Sequence, residues 1–220
     1  MIITLDGPAG AGKSSTARAL ACRLGWFYMD TGAMYRAVTL VALERDVALD
    51  DGPGLAALAE SLAIAFRDGR VFVGDRDISS EIRTEQITAA TRSVADAPPV
   101  RDAMKRMQRT IAGGLDVVTE GRDQGSVVFP HAELKVFLTA SPEERARRRH
   151  REEEARGVDT SLHAVLAAQN RRDEGDRIRA VGAMKPADDA VLVETDGLTE
   201  EQVVDRLVHL IEERRTSRGA

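Results

Sequence analysis

The residues richest in chemistry lie at the front of the chain. Gly7, four further residues, then Gly12-Lys13-Ser14 match the pattern G-x-x-x-x-G-K-[ST] without a mismatch. Phosphate oxygens need several hydrogen-bond donors at once. Backbone N–H groups supply them only where side chains do not block approach and the loop tolerates unusual dihedrals. Gly7, Gly10 and Gly12 permit this, and Ala9 and Ala11 stay small. The run Gly7, Pro8, Ala9, Gly10, Ala11, Gly12, Lys13, Ser14, Ser15 is therefore expected to hold a triphosphate tail. Lys13 would reach the β- and γ-phosphates, and the Ser14 hydroxyl would ligate Mg²⁺. The glycine spacing does not fit G-x-G-x-x-G, which disfavours a dinucleotide fold.

Three further clusters bear on what accepts the phosphate. Asp30-Thr31-Gly32-Ala33-Met34-Tyr35-Arg36 follows a short strand candidate, and ligands of open α/β sheets bind beyond the carboxyl ends of strands. Thr31, Tyr35 and Arg36 can share one helical face, or Tyr35 can be a packing residue and Arg36 a solvated one. Thr119-Glu120-Gly121-Arg122-Asp123-Gln124-Gly125 follows another apolar run. Its Glu120 can steady Mg²⁺ through water or touch a sugar; its Arg122 and Asp123 offer a cation and an acceptor, or pair with each other in a turn. The third cluster is a late arginine series. Arg145, Arg147, Arg148, Arg149 and Arg151 share one charged segment, where i,i+4 glutamates also fit a plain solvated helix. Arg171-Arg172-Asp173-Glu174-Gly175-Asp176-Arg177-Ile178-Arg179 comes later. Together these cations suit a site that brings two anions into contact, because the planar guanidinium binds phosphate oxygens bidentately.

Five apolar runs can serve as strands that position these groups: residues 2–5, 26–29, 115–120, 133–138 and 190–194. Helical periodicity separates them. Ala17, Leu20, Ala21 and Leu24 make one stripe, stopped by Gly25, and further helices are expected over 33–45, 55–63, 84–95 and 100–112. Asp30-Thr31-Gly32 reads as a turn and Pro98-Pro99 as a break. Ser141-Pro142-Glu143-Glu144 is a capping box that starts a charged helix reaching 157, and another helix runs from 161 to about 174. A last helix, capped at 199–202, carries Val203, Leu207, Leu210 and Ile211. The expected fold is α/β: a P-loop NTPase fold with a five-stranded parallel core sheet and helices on both faces. A hairpin over 63–74, turning at Asp68-Gly69, stands out as a small antiparallel insertion.

Composition narrows the class. The chain has 220 residues, enough for a single domain, a net charge of −5 and only 4% aromatics, which weighs against nucleic-acid binding. No apolar run approaches the ~18 residues of a membrane span. Cys22 is the one cysteine, so no internal disulfide can form; it reads as a small buried residue in a reducing, cytoplasmic protein. Residues 214–220 read as a frayed tail. A regulatory GTPase is a distant rival, since Asn170-Arg171-Arg172-Asp173 only loosely matches N-K-x-D. An inactive nucleotide-binding partner protein fits the same motifs.

The combination "DGPAGAGKSS", "MDTGAMYR", "EIRTEQIT", "VRDAMKRMQR", "TEGRDQGSVVFP" and "RRDEGDRIRAV", in this order, resembles the bacterial cytidylate kinases, a branch of the nucleoside monophosphate kinases. The resemblance covers nearly the whole chain. It implies transfer of the γ-phosphoryl group of ATP to CMP or dCMP, with Mg²⁺ accompanying ATP, by a protein that is commonly monomeric. UMP or a small metabolite stays open as acceptor. It also implies a nucleoside-monophosphate-binding insertion at 62–96 and a lid at 147–159. By matched position, Arg36 and Arg122 resemble ligands of the acceptor phosphate, with Thr31 and Tyr35 lining the same pocket. Arg101, Asp123 and Arg179 resemble cytosine-reading residues; a carboxylate can accept from the N4 amino group. Arg172 and Asp176 resemble sugar contacts, and Arg148 and Arg149 lid arginines over ATP. Lys13, Arg36, Arg122 and Arg172 are thus the expected catalytic cations, with Glu120 beside the acceptor. Two positions depart from the pattern: Arg92, with Ser93 beside it, aligns with a serine of some base pockets, and Glu120 stands where some relatives have Asp.

Overall fold

A computed structural model describes residues 1–155 and 157–218. It divides into two compact units, Met1–Tyr28 with Leu115–Ala220, and Met29–Gly114.

The first unit is built on strands β1 (Ile2–Asp6), β2 (Phe27–Asp30, which runs on into the second unit), β6 (Val117–Glu120), β7 (Leu134–Thr139) and β8 (Val191–Glu194). They form one five-stranded parallel sheet in the order β2-β6-β1-β7-β8. Strand β1 lies at its centre, with Leu5 opposite Glu120 on one side and Val136 on the other. Parallel strands covered by helices bury nearly every residue, and β1 accordingly is buried from Ile3 to Asp6. Helices α1 (Lys13–Leu24) and α8 (Glu200–Arg218) pack together, and their apolar stripes join the sheet. Ile3, Leu5, Leu20, Val118, Leu138, Val193 and Leu207 make that core. Helices α6 (Pro142–Glu154) and α7 (Leu162–Ile178) pack against each other.

Several expectations are corrected. Cys22 is exposed, because α1 buries the face made by Thr16, Ala17, Leu20 and Ala21 and turns Cys22 outward. Helix α7 continues to Ile178, so the segment 171–178 is helical. Residues 214–218, expected to fray, continue α8; 219–220 lie outside the described residues. Residues 124–128 form one wide helical turn that periodicity did not signal. Among the described residues no helix is long and apolar enough to cross a membrane.

The second unit contains α2 (Thr31–Glu44), α3 (Gly52–Ser61), strands β3 (Ile64–Arg67), β4 (Arg70–Val73) and β5 (Arg76–Asp77), then α4 (Glu85–Asp96) and α5 (Pro98–Ala112). Asp30-Thr31-Gly32 is no turn. The Asp30 carboxylate accepts from the Ala33 N–H at 2.7 Å and so caps α2. Pro98 and Pro99 mark the break after α4, which ends at Asp96, and also open α5, where a missing N–H goes unneeded. The hairpin is present, and both of its central residues have the positive φ of a tight β-hairpin turn, 50° at Asp68 and 73° at Gly69. Residues 76–77 add a third antiparallel strand too short for alternation to reveal. Met34, Val38, Leu55, Ile78, Ile82, Val94 and Met104 fill this unit's core.

Candidate nucleotide site

The loop after β1 has the expected architecture. A Cβ on Gly7, whose φ is 138°, would lie 2.0 Å from the Leu138 carbonyl oxygen, so only glycine lets the loop leave the central strand against β7. Helix α1 starts at Lys13 with no side-chain cap, which leaves its first N–H groups free of side-chain acceptors. Lys13 is buried, and its ammonium donates to the Pro8 carbonyl at 2.7 Å, folding over the loop. Burial lowers that ammonium to about 7; Arg122 pushes the same way and Glu120 opposes. The Ser14 hydroxyl donates to Glu120 Oε1 at 2.9 Å. Ser15 Oγ turns back to the Gly12 carbonyl at 3.0 Å.

The crest of the loop is fastened from behind. Arg145 Nη1 donates to the Ala9 carbonyl at 2.8 Å and to Asp173 Oδ2 at 2.5 Å, while the Ala9 N–H donates to Asp173 Oδ1 at 3.2 Å. Both charged side chains are 3% exposed, so this is a fully buried ion pair. Sequence reading placed Arg145 among cations facing anions and Asp173 in a loose guanine-type motif. Both are instead committed to holding Ala9.

Around β6, Asp176 accepts from Arg122 Nε at 2.8 Å and from Arg179 Nη2 at 2.6 Å. Burial by itself raises this carboxyl, but the charges of Arg122 and Arg179 outweigh it and hold it below the usual carboxylate range. Arg172 lies close enough to act on both Lys13 and Asp176. Asp123 is buried. Arg122, from the segment after β6, and Arg172 and Arg179, from α7 and its C-terminal end, are brought together around the Asp176 carboxylate.

The two lid candidates differ. Arg148 donates to Thr195 Oγ1 at 3.0 Å and to the Thr195 carbonyl at 2.6 Å. Thr195 Oγ1 in turn lies 3.4 Å from the Ala11 carbonyl, which sets Arg148 beside the phosphate loop. Arg149 instead pairs along its own helix with Glu153 at 2.8 Å. No sequence signal pointed to Thr195; it lies just past the β8 run.

Within the second unit, Arg36 lies 3.5 Å and Arg83 3.9 Å from the Asp30 carboxylate. The Arg36 Nε is buried without a hydrogen-bond partner among the described residues. Thr31 is buried in the first turn of α2. The Arg101 guanidinium stands 5.8 Å from the Tyr35 ring centroid, and its Nη1 donates to the Ala95 carbonyl at 3.1 Å. Arg92 faces Asp96 on α4 at 3.5 Å, and Ser93 is exposed.

A parallel sheet whose central strand feeds a glycine loop, a buried lysine and an uncapped helix defines a P-loop fold of the kinase type. Two solved structures share it at low identity: an uncharacterized protein from Eubacterium ventriosum (11% identical, TM-score 0.54, 96% of this chain and 98% of the other) and the shikimate kinase of Bacteroides thetaiotaomicron (15%, TM-score 0.50, 96% and 98%). The family model described as cytidylate kinase matches residues 3–213. Proteins named cytidylate kinase are 50% identical to this chain, one from Rhodopirellula baltica over 97% of this chain and 93% of its own length, and one from Exiguobacterium sibiricum over 96% of each. The chain belongs to the cytidylate kinase family.

Proposed function

We propose that this protein transfers the γ-phosphoryl group of ATP to CMP or dCMP, giving ADP and CDP or dCDP. The observation that carries the reading is the Asp176 centre, which fixes Arg122 and Arg179 in a unit that also holds Lys13 on the phosphate loop. The buried, unpartnered Arg36 Nε in the second unit supports it, since a buried donor requires an acceptor and a phosphate supplies one.

The residues divide by role. The loop 7–15 and Lys13 take the donor phosphates, and Arg148 lies over ATP with Arg149. Arg36 and Arg122 take the acceptor phosphate, with Thr31 and Tyr35 beside it. Arg101, Asp123 and Arg179 read the base, and Arg172 and Asp176 hold the sugar. The acceptor phosphate is already ionised, so no general base is required; positioning and charge neutralisation carry the catalysis. A hard divalent cation suits the oxygen pair Ser14 Oγ and Glu120, which would hold Mg²⁺ directly or through water. When bound, Mg²⁺ neutralises charge developing on the β- and γ-oxygens. Residues 62–96 serve as the monophosphate-binding insertion and 147–159 as the lid that excludes water on closing; Arg156 lies outside the described residues.

A coupled ADP-release assay with ATP, Mg²⁺ and CMP, dCMP, UMP, AMP or GMP tests this. CMP and dCMP should give the highest kcat/KM. Preference for AMP, UMP or a non-nucleotide would overturn the acceptor, and tight GTP binding without acceptor-dependent turnover would overturn the kinase reading.

A further inference from the structure

Asp6 ends β1 one residue before the phosphate loop, and only 5% of it is exposed. Its carboxylate lies close enough for Lys13 to act on it, but its hydrogen bonds go to another segment. Oδ1 accepts from the Gln124 N–H at 2.9 Å and Oδ2 from the Gly125 N–H at 2.7 Å, 118 and 119 residues away. These N–H groups open the wide turn of 124–128, in which the Asp123 carbonyl accepts from Val127 and Val128 at 2.9 and 3.2 Å. Asp6 therefore caps that turn from another strand.

The same loop is fixed at two more points. The Gly121 N–H donates to the Leu5 carbonyl at 3.0 Å, continuing the pairing of β6 with β1. A Cβ on Gly125 would lie 2.7 Å from Thr4 Oγ1, so the chain presses directly on β1 there. Between these points stand Arg122 and Asp123. Burial pushes the Asp6 carboxyl up to about 7, and the two N–H groups oppose burial. A carboxylate buried this fully is retained against its desolvation only where donors hold it.

We infer that Asp6 is a positioning residue: its carboxylate fastens the loop carrying Arg122 and Asp123 to the strand that launches the phosphate loop, so that acceptor and donor groups share one rigid base. The inference rests on the acceptor roles proposed above for Arg122 and Asp123. In this role Asp6 acts through those residues and not by a substrate contact of its own.

Asp6→Asn tests it. The amide keeps one acceptor oxygen and sets an NH₂ against the other N–H, so one of the two bonds is lost and the other is left with a neutral acceptor. Loss of such a bond should lower kcat/KM for CMP about tenfold or more, mostly through KM, with KM for ATP changed less than about twofold. Equal losses on both substrates, or none on CMP, would overturn the inference. Amide hydrogen exchange decides the fastening without any turnover and, in the unaltered protein, without any variant. Gln124 and Gly125 should exchange as slowly as the central strands, and at least one of them should lose that protection in a folded Asp6→Asn. Fast exchange of both amides in the unaltered protein refutes the fastening even if Asp6→Asn does not fold. If CMP proves not to be the acceptor while the amides behave as expected, the function reading fails and the fastening stands.

Discussion

Asp173→Ala should damage both stability and ATP use, and a second variant separates the two effects. The mutation strands Arg145, which is 3% exposed, without its counter-ion and removes the acceptor of the Ala9 N–H. Breaking a buried pair by removing one partner costs about 3–5 kcal/mol. The Ala9 N–H, if left unsatisfied, adds about 1–3 kcal/mol. Against a total stability of roughly 5–15 kcal/mol this is a large fraction. At about 2–4 °C per kcal/mol for a chain of this size, Tm should fall by at least about 6 °C. The double variant Arg145→Met, Asp173→Leu replaces the pair with apolar groups of similar bulk, which on ion-pair grounds is neutral or stabilising. It should recover at least about 2 kcal/mol relative to Asp173→Ala. It cannot restore either partner of the Ala9 peptide, so KM for ATP should stay raised in both variants while KM for CMP changes less. Calorimetric Tm and steady-state kinetics on the folded fraction read both. A Tm within about 2 °C of the unaltered protein for Asp173→Ala, or full recovery of ATP use in the double variant, would refute the reasoning.

Lys13→Ala should cut kcat by roughly 10²–10³ with far-ultraviolet circular dichroism unchanged, because one well-placed cation at the transferring phosphoryl group is worth that much; near-normal turnover of folded protein would sink the phosphate role of the loop. Burial and Arg122 hold Lys13 near 7, and a polyphosphate favours its charged form. ATP binding should therefore take up close to one proton at pH 8.5, with affinity falling as pH rises above 7; calorimetry in buffers of different ionisation enthalpy measures this, and zero uptake contradicts it. Asp176, held below its ordinary 3.8 by Arg122 and Arg179, binds fewer protons folded than unfolded at acid pH. Its contribution to stability is thus present above about pH 4 and is lost as pH falls through the folded-state value. Asp176→Asn should flatten acid unfolding curves over that range and raise KM for CMP, whereas an unchanged acid limb would show that the pair is not formed.

How far the sequence showed the site depended on whether a group's partner was local. The phosphate loop was legible because its requirements lie within eight consecutive residues: small side chains, a lysine and a hydroxyl between strand and helix. The Asp68-Gly69 hairpin was legible for the same reason, since turn chemistry is written in the turn itself. Asp6 was in plain view beside the motif, yet its role could not be read, because its partners are backbone N–H groups of Gln124 and Gly125, and a backbone donor leaves no trace in residue type. The arginines illustrate the converse. Arg145, Arg148 and Arg149 share one helix and one side-chain chemistry, but the structure sends them to a buried aspartate, to Thr195 and to a glutamate on the same helix. What distinguishes them is helical phase: α6 turns Arg145 fully inward, leaves Arg148 partly buried beside Thr195, and leaves Arg149 the most exposed of the three. Charge in such a segment therefore marks where anions or carboxylates will be met, and the identity of each partner follows only once β8 and α7 have been laid against that helix and loop. By the same logic Asp173 and Asp176, three residues apart on α7, divide the work of the unit: one fastens the glycine loop at Ala9, and the other holds Arg122 and Arg179, the groups proposed above for donor and acceptor.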